Sequence, residues 1–378
     1  MPPISIMIKP ASSTCNMRCK YCFYNDVAKN RETPSHGAMS LQTAETVVKK
    51  AFAYADGNPV WFNFQGGEPL LAGKAFFRAT LNLISRANIK NSPVFLGIQT
   101  NGTLIDDEWC EIFKTNDFLV GLSLDGDETA NVNRVDKDGN PTFQKVVAAA
   151  KLLQKHNVNF NILTVLTKDV AMRIGKIYPF FTSQGFKRLQ FIPCLKPLSG
   201  EVENPDFYLD EKSYALFLLS AFALYQKDMA NGDYTSIRQF DNFVRLAHFE
   251  RAEQCGMNGH CTHQFVIESD GSVYPCDFYC TDEYLLGNIS DKDFFTLEHT
   301  NKAVEFIKES LVVDETCKSC EYYMLCKGGC KRERRDVEKC KAYKTFFRFA
   351  LPYLKTCHKD LRFITHKVSS SAVFGNML

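Results

Sequence analysis

The sequence has almost no excess of charge of either sign. Its 378 residues include 45 Lys and Arg against 43 Asp and Glu, which gives a formal net charge of +2. This balance provides no general electrostatic attraction to nucleic acid or to an anionic membrane. Hydrophobic residues make up 45% and charged residues 23%, which excludes disordered and low-complexity classes. We therefore expect a soluble, folded protein with no nucleic-acid or membrane partner.

Long apolar runs and targeting signals are also missing. The longest apolar-rich tract, roughly residues 214–225, is interrupted by Ser220. It is far shorter than the about 20 residues that a membrane span requires. The first ten residues, MPPISIMIKP, lack the basic stretch and apolar run of a secretory signal. We expect a cytoplasmic protein, in which thiols stay reduced.

Cysteine, in contrast, is abundant. There are 15 cysteines, an odd number that a fully paired disulfide framework cannot use. Three lie in residues 15–22 and ten in residues 255–357, whereas only Cys110 and Cys194 lie between these groups. Clustered thiols in a reducing compartment more often bind metal or carry out redox chemistry than form disulfides. The sequence therefore predicts a long body flanked by metal-rich segments.

The body alternates between short apolar runs and stretches of helical spacing. We predict six strands, at residues 4–9, 60–65, 94–100, 118–124, 159–166 and 188–193. We predict helices at residues 41–54, 74–87, 106–114, 143–156, 171–184 and 213–227. Such alternation implies parallel strands with right-handed crossovers, in an open doubly wound sheet or a barrel.

Polar or Gly-rich motifs follow four of these strands. They are CNMRCKYCF after the first, QGGEP after the second, QTNGT after the third and SLDG after the fourth. Loops at the carboxyl ends of parallel strands meet on one face, where βα folds build their sites. This pattern favours the barrel-like arrangement and places the site on that face.

The first motif holds three thiols, Cys15, Cys19 and Cys22, separated by three and then two residues. Three soft ligands on one loop suit an iron–sulfur cluster or zinc. A structural zinc site would need a fourth ligand, for which His36 is the nearest candidate. Spacing alone leaves both possibilities open.

The C-x3-C-x-aromatic-C motif, with Tyr21 as the aromatic residue, resembles that of the radical S-adenosylmethionine (SAM) superfamily. The resemblance implies a [4Fe-4S] cluster on the three cysteines, with one open iron that binds SAM. It also implies SAM-binding roles for Tyr21, for Gly66, Gly67 and Glu68 of a GGEP-like motif, for Ser123, Asp125 and Arg134, and for Leu195 at the adenine. Without it, the glycines would be read as an ordinary turn, Arg134 as a surface residue and Leu195 as core.

The C-terminal cysteines include a C-x9-G-x4-C element around Gly271 and resemble the SPASM extension of peptide-modifying radical enzymes. The resemblance implies two auxiliary [4Fe-4S] clusters, one on Cys255, Cys261, Cys276 and Cys330, the other on Cys317, Cys320, Cys326 and Cys340. Cys357 could replace Cys340. A pair of zinc ribbons is the alternative. We expect Cys110, Cys194, Cys280 and Cys357 to be small buried hydrophobes, and the basic run at residues 331–335 to be a solvated face.

Nearly the whole chain, from PP-x-S-x-x-IKPAS to LCKGGC, resembles anaerobic sulfatase-maturating enzymes. The resemblance implies oxidation of a Cys or Ser in an unfolded or nascent sulfatase polypeptide to Cα-formylglycine. It implies three [4Fe-4S] clusters, SAM, and electrons from a small donor protein such as flavodoxin or ferredoxin. Asp277 would be the catalytic base and Tyr24 would line the site, although Asp277 could instead cap a turn or helix.

The expected architecture is an α/β fold, a partial (β/α)6 TIM-like barrel with a C-terminal SPASM-type domain that holds two auxiliary clusters. Residues 1–235 would form the barrel with its connecting helices, and residues 236–378 the auxiliary-cluster domain and C-terminal helices. One rival is another SPASM-type enzyme that forms a thioether or other crosslink. The other, from a different class, is a non-catalytic zinc-binding module.

Overall fold

The structure is a computed structural model that describes residues 2–198, 200, 202, 204–334 and 336–357. The strands are β1 (Ile4–Ile8), β2 (Val60–Phe64), β3 (Val94–Thr100), β4 (Phe118–Ser123), β5 (Asn159–Leu166), β6 (Arg188–Pro193), β7 (Ser236–Ile237), β8 (Val266–Ile267), β9 (Ser272–Tyr274) and β10 (Gly287–Asn288). The helices are α1 (Phe23–Lys29), α2 (Leu41–Ala55), α3 (Gly73–Ala87), α4 (Asp107–Thr115), α5 (Phe143–Lys155), α6 (Lys168–Met172), α7 (Ile174–Ser183), α8 (Glu211–Ala230), α9 (Arg238–Ala247), α10 (Phe294–Glu298), α11 (Asn301–Ser310), α12 (Glu315–Lys318), α13 (Tyr323–Cys326) and α14 (Val337–Thr356).

The six predicted strands form the centre of one sheet, and their order confirms the barrel-like arrangement. Strands β1 to β6 are neighbours in sequence order, and every pair among them is parallel. A doubly wound sheet would reverse direction at a switch point, whereas a βα barrel adds each strand beside the previous one. All of these carboxyl ends therefore open on one face.

Local signals explain where most of the helices begin. Ser40 caps α2 by accepting a hydrogen bond from the Thr43 N–H, and Asp106 caps α4 by accepting one from Trp109. The prediction of a single helix at residues 171–184 is wrong. That region contains α6, which is capped by Thr167, and α7, with Arg173 in a non-helical conformation between them. The Thr167 cap starts a helix earlier than the apolar periodicity indicated.

The C-terminal part extends the same sheet. Strand β8 pairs in parallel with β1, at Met7 with Val266 and Ile8 with Ile267, and β9 and β10 continue it as antiparallel strands. Helix α14 packs on α8 and α9 through aromatic side chains such as Phe346, whose ring centroid lies 5.2 Å from that of Phe222. Cysteine-rich loops thus lie beside the strand that leads to Cys15. Among the described residues, no helix has both the length and the apolar character to cross a bilayer.

Candidate functional site

The loops that follow β1 and β2 are bound to each other through their backbones. The N–H groups of Gly67 and Glu68 donate to the carbonyls of Ser12 and Thr14 at 2.9 and 2.8 Å. A Cβ atom at Gly67 would lie 2.1 Å from the Thr14 carbonyl oxygen, and one at Gly66 would lie 2.7 Å from that of Ser12. Both glycines are therefore required for this close approach, which fixes the backbone just before the first cysteine.

Glu68 is buried beneath this contact and joins it to the loop after β3. Its carboxylate accepts hydrogen bonds from the backbone of Leu70 and Asn101 and from the Thr100 hydroxyl, at 2.8–3.0 Å. Burial raises the pKa of Glu68 to about 7, although these donors act in the opposite direction. The Asn101 amide then lies 3.8 Å from the Sγ of Cys15. Glu68 therefore positions the cysteine loop.

The three N-terminal thiols are close enough to influence one another. Burial raises the pKa of Cys15 to about 12, with smaller contributions from Cys22 and Cys19. Over the described part of the chain, no three His, Cys, Asp or Glu side chains converge as the ligands of a single metal ion would. A [4Fe-4S] cluster, whose ligands bind separate irons, does not require that convergence. His36, the candidate zinc ligand, contacts Asp270, with Nδ1 3.3 Å from its carboxylate.

Tyr21, Asp125 and Arg134 form a buried network beside this triad. The Tyr21 hydroxyl donates to Asp125 and accepts from Arg134 Nη1 at 3.2 Å. Asp125 also accepts from the Val165 N–H at 3.0 Å. Arg134 is only 6% exposed, so its reading as a surface residue is wrong, and its Nε has no hydrogen-bond partner within the described structure. A buried guanidinium donor suits an anionic group such as the SAM carboxylate. Ser123 lies nearby and accepts from Gln99 Nε2 at 2.8 Å.

One cavity of the described structure brings together the ligands predicted for the first auxiliary cluster. Its lining includes Cys255, Cys261, Cys276 and Cys330. The pKa of Cys276 is raised by burial and then by the other three thiols. At Gly256, a Cβ atom would lie 3.0 Å from the Cβ of Cys330, so glycine lets the two ligand loops pack together. Leu195 is half-buried and lines the same cavity.

The remaining predicted ligands form a second group. Burial raises the pKa of Cys326 to about 11, and Cys320, Cys317 and Cys340 add to this effect. Cys357 is buried in the hydrophobic core, where its thiol donates to the Leu354 carbonyl at 3.8 Å. This geometry favours Cys340 as the fourth ligand. Cys110, Cys194, Cys280 and Cys357 are all buried, as the sequence predicted.

Asp277 is completely buried, and its carboxylate is held by three side chains. Lys9 Nζ lies 3.1 Å from Oδ1, while the Tyr24 hydroxyl donates to Oδ2 at 2.5 Å and Gln65 Nε2 lies 3.4 Å from it. The interpretation of Asp277 as a helix or turn cap is wrong, because Cys276 takes the cap position of the short 3-10 helix Asp277–Tyr279 and no side-chain cap hydrogen bond forms there. Cys276 immediately precedes it, so the carboxylate is tied to a predicted cluster ligand.

Lys9 and Glu268 lie at this site and were not identified from the sequence. Lys9 Nζ lies 3.3 Å from Glu268, which also binds Arg31 at 2.7 Å and accepts from the Ser12 hydroxyl at 2.7 Å. Burial would raise the pKa of Glu268, but the two cations lower it to about 2. A charged Lys at the end of an apolar strand was the available signal for a buried partner.

The basic run does not form a solvated face. Lys331 is 13% exposed, lies 2.6 Å from Glu309, and places its ammonium 4.0 Å from the centroid of the Phe306 ring. Arg334 donates to the carbonyls of Val312 and Gly329 at 2.8 and 2.9 Å. The expectation for these residues was therefore wrong; Arg335 lies outside the described residues.

Comparison with known proteins agrees with this geometry. The family model of the radical SAM superfamily matches residues 10–174 of the sequence. The family model of the SPASM iron–sulfur cluster-binding domain matches residues 236–321. Fold and site thus define a radical SAM protein with a SPASM domain. The chain is 48% identical over 363 residues to a cysteine-type anaerobic sulfatase-maturating enzyme of Clostridium perfringens (strain 13 / Type A), covering 94% of this chain and 98% of that one. It belongs to the family of anaerobic sulfatase-maturating enzymes.

Two further comparisons refine this placement. A serine-type anaerobic sulfatase-maturating enzyme of Bacteroides thetaiotaomicron is 30% identical, over 95% of this chain and 92% of that one. The solved structure of native anSMEcpe with bound AdoMet and Cp18Cys peptide has a TM-score of 0.89 and 45% identity, and the match covers 95% of this chain and 100% of that chain. The similarity therefore extends over both the barrel and the cysteine-rich part.

Proposed function

We propose that this protein oxidises a cysteine of a sulfatase polypeptide to Cα-formylglycine and cleaves SAM to methionine and 5′-deoxyadenosine. The observation that carries the proposal is the buried Asp277 carboxylate, held by Lys9, Tyr24 and Gln65 next to Cys276. Cysteine is favoured over serine as the target because the identity is 48% to a cysteine-type relative and 30% to a serine-type one.

The proposed reaction balances. Peptide cysteine, SAM and water give the peptide aldehyde, hydrogen sulfide, methionine, 5′-deoxyadenosine and a proton. The three iron–sulfur clusters and SAM, when bound, supply the electron that splits the sulfonium, the radical that removes a Cβ hydrogen, and the acceptor for the electron that leaves the substrate.

Asp277 would take the thiol proton of the substrate. A carboxylate is a weak base toward an ordinary thiol, whose reference pKa is about 8.5. Loss of the neighbouring Cβ hydrogen makes the S–H group more acidic, so a carboxylate becomes sufficient. Lys9 and Tyr24 hold Asp277 in one orientation, while α1, which begins directly after Cys22, carries Tyr24 to the edge of the SAM site. Proton removal and SAM binding are therefore assigned to adjacent elements.

We assign the remaining roles by position. Cys15, Cys19 and Cys22 would hold the cluster that binds SAM, and the two groups of four cysteines would hold the auxiliary clusters. By the family resemblance, SAM would lie against Tyr21, Gly66, Gly67, Glu68, Ser123, Asp125, Arg134 and Leu195, the last of which also lines the cavity of the predicted first auxiliary cluster. The chain would divide between residues 235 and 236 into a barrel domain and an auxiliary-cluster domain. The second domain would run to residue 378, and residues 358–378 lie outside the described residues.

The partners follow from the proposed chemistry. An unfolded or nascent sulfatase would bind as an extended segment, since the reacting side chain must reach a buried carboxylate. A small electron-donor protein such as flavodoxin or ferredoxin would reduce the SAM-binding cluster, and the cytoplasm would provide the reducing conditions that the thiols need.

The decisive experiment is anaerobic incubation of the cluster-loaded protein with SAM, a reductant and matched Cys and Ser peptides of a sulfatase motif. Mass spectrometry should show that the Cys peptide loses two hydrogens and exchanges sulfur for oxygen, faster than the Ser peptide reacts. Loss of two hydrogens with sulfur retained in a ring would instead identify a thioether-forming enzyme. SAM cleavage with neither peptide altered would refute the proposal.

A further inference from the structure

Two cations that the proposed reaction does not use line the cavity of the first auxiliary cluster. Lys331 directly follows Cys330 in the chain, and Arg334 lies three residues further on. Both charges act on Cys261, whose thiol also accepts a hydrogen bond from the Lys331 backbone. The cavity that collects the four thiols is therefore lined by these two cations and by the Lys339–Glu333 ion pair, whose opposite charges offset each other.

Lys331 is held where its charge is partly shielded from water. Its ammonium lies over the rings of Phe306, Tyr279 and Tyr284, at 4.0, 4.9 and 5.3 Å from their centroids. It also pairs with Glu309, but that side chain is 57% exposed and its charge is largely screened by solvent. The cation should act more strongly on the buried thiolates than this carboxylate does.

Arg334 is fixed by the backbone that surrounds the ligands. Besides the carbonyls of Val312 and Gly329, it donates to those of Ser310 and Gly328. Its Nη2 also lies 3.4 Å from the Gly259 carbonyl, so one guanidinium connects the loop of Cys261 with that of Cys330. These contacts are with neutral carbonyls, which do not cancel its charge.

Charge near a cluster shifts its reduction potential. A [4Fe-4S] cluster with four thiolates becomes more negative when it is reduced, and burial disfavours that extra charge. Nearby cations oppose this effect. We infer that Lys331 and Arg334 raise the reduction potential of the cluster on Cys255, Cys261, Cys276 and Cys330, so that this buried cluster can accept the substrate's electron.

The electron-accepting role of this cluster rests on the proposed function. The effect of Lys331 and Arg334 on its reduction potential does not. In the reaction, the substrate gives its thiol proton to Asp277 and one electron to the cluster, which is reduced by one electron. The thioaldehyde that results would be hydrolysed by water, and the electron that the cluster receives would offset the one spent on cleaving SAM, so no other oxidant is required.

The test is a potentiometric titration of the cluster-loaded protein followed by electron paramagnetic resonance, without peptide or SAM. Lys331→Met removes the charge but keeps an apolar chain over the rings, and it should lower one midpoint potential. Lys331→Arg should keep that potential close to the wild-type value. Glu309→Gln removes the opposing charge from an exposed, solvent-screened position, so it should shift the same potential upward by less than Lys331→Met lowers it. Lys49→Met, which removes a surface lysine paired with Glu45, is the matched control and should shift none.

Iron content and cluster absorbance must equal those of the wild type in each variant used. An unchanged potential in Lys331→Met would overturn the inference, as would an equal shift in the Lys49→Met control. If the midpoint potential shifts as expected but no aldehyde forms on the Cys peptide, the proposed function fails. The inference that the two cations raise the reduction potential, called the tuning role, then still stands. If aldehyde forms and the potentials do not move, only the tuning role fails.

Discussion

Lys9 and Asp277 form an ion pair in the protein interior, with Nζ 3.1 Å from Oδ1. The two residues are far apart in sequence and come together because β8 pairs with β1. Lys9 also contacts Glu268, so one ammonium is shared by two buried carboxylates. The pair thus links the end of the first barrel strand to the proposed catalytic base.

Replacement of Lys9 should damage both stability and chemistry. Lys9→Met leaves the buried Asp277 without its cation and Glu268 with Arg31 alone. Breaking a buried ion pair in this way costs about 3–5 kcal/mol. We expect a lower free energy of unfolding in denaturant titrations and a higher ratio of 5′-deoxyadenosine to formylglycine. Lys9→Arg, which keeps the charge, is the control. A ratio equal to that of the wild type in Lys9→Met would show that Lys9 does not position Asp277.

Asp277→Asn should separate the two halves of the reaction. Asn fills the same space but cannot accept the thiol proton, so SAM cleavage should persist while aldehyde formation falls by about 10²–10⁴-fold. Both products can be quantified in one anaerobic assay by chromatography and mass spectrometry. Peptide turnover at the wild-type rate would remove Asp277 from the mechanism.

Gly67→Ala should disrupt the SAM-binding cluster without touching any ligand. Its Cβ would meet the Thr14 carbonyl at 2.1 Å, which forces the backbone before Cys15 to move. We expect loss of SAM cleavage and of the iron of one cluster. Gly175→Ala is the control, because a Cβ there meets nothing within 4 Å and Gly175 lies within α7. Full iron content and SAM cleavage in Gly67→Ala would contradict the packing argument.

A pair of cysteine variants tests the second auxiliary cluster. Cys340→Ala should lower the iron content, since this thiol lies with Cys317, Cys320 and Cys326. Cys357→Ala should retain all the iron and reduce only the stability of the core around Leu354. Metal analysis of anaerobically purified protein gives the answer, and the opposite result would exchange the two roles.

Local patterns were sufficient to predict the barrel strands, because strand periodicity is encoded by short-range spacing. The assignment of the cysteine ligands came from the family resemblance and stays a prediction. The break at Arg173 was missed because the Thr167 cap precedes the apolar periodicity. Contacts between residues far apart in sequence could not be predicted from these local patterns. The basic run looked solvated because nothing near it in sequence shows that Phe306 and Glu309 cover Lys331. Likewise, the partners of Lys9 lie on a segment more than two hundred residues away.

The pairing of β8 with β1 has a consequence for engineering this protein. If the chain were cut ahead of residue 264, the edge of β1 that pairs with β8 would lose its backbone hydrogen-bond partners. Lys9 and Arg31 would also lose the carboxylates with which they form ion pairs. Neither fragment should survive alone as an independent module. A chimera that grafts a foreign cysteine-rich tail onto this barrel would have to bring an equivalent edge strand and acidic side chain with it.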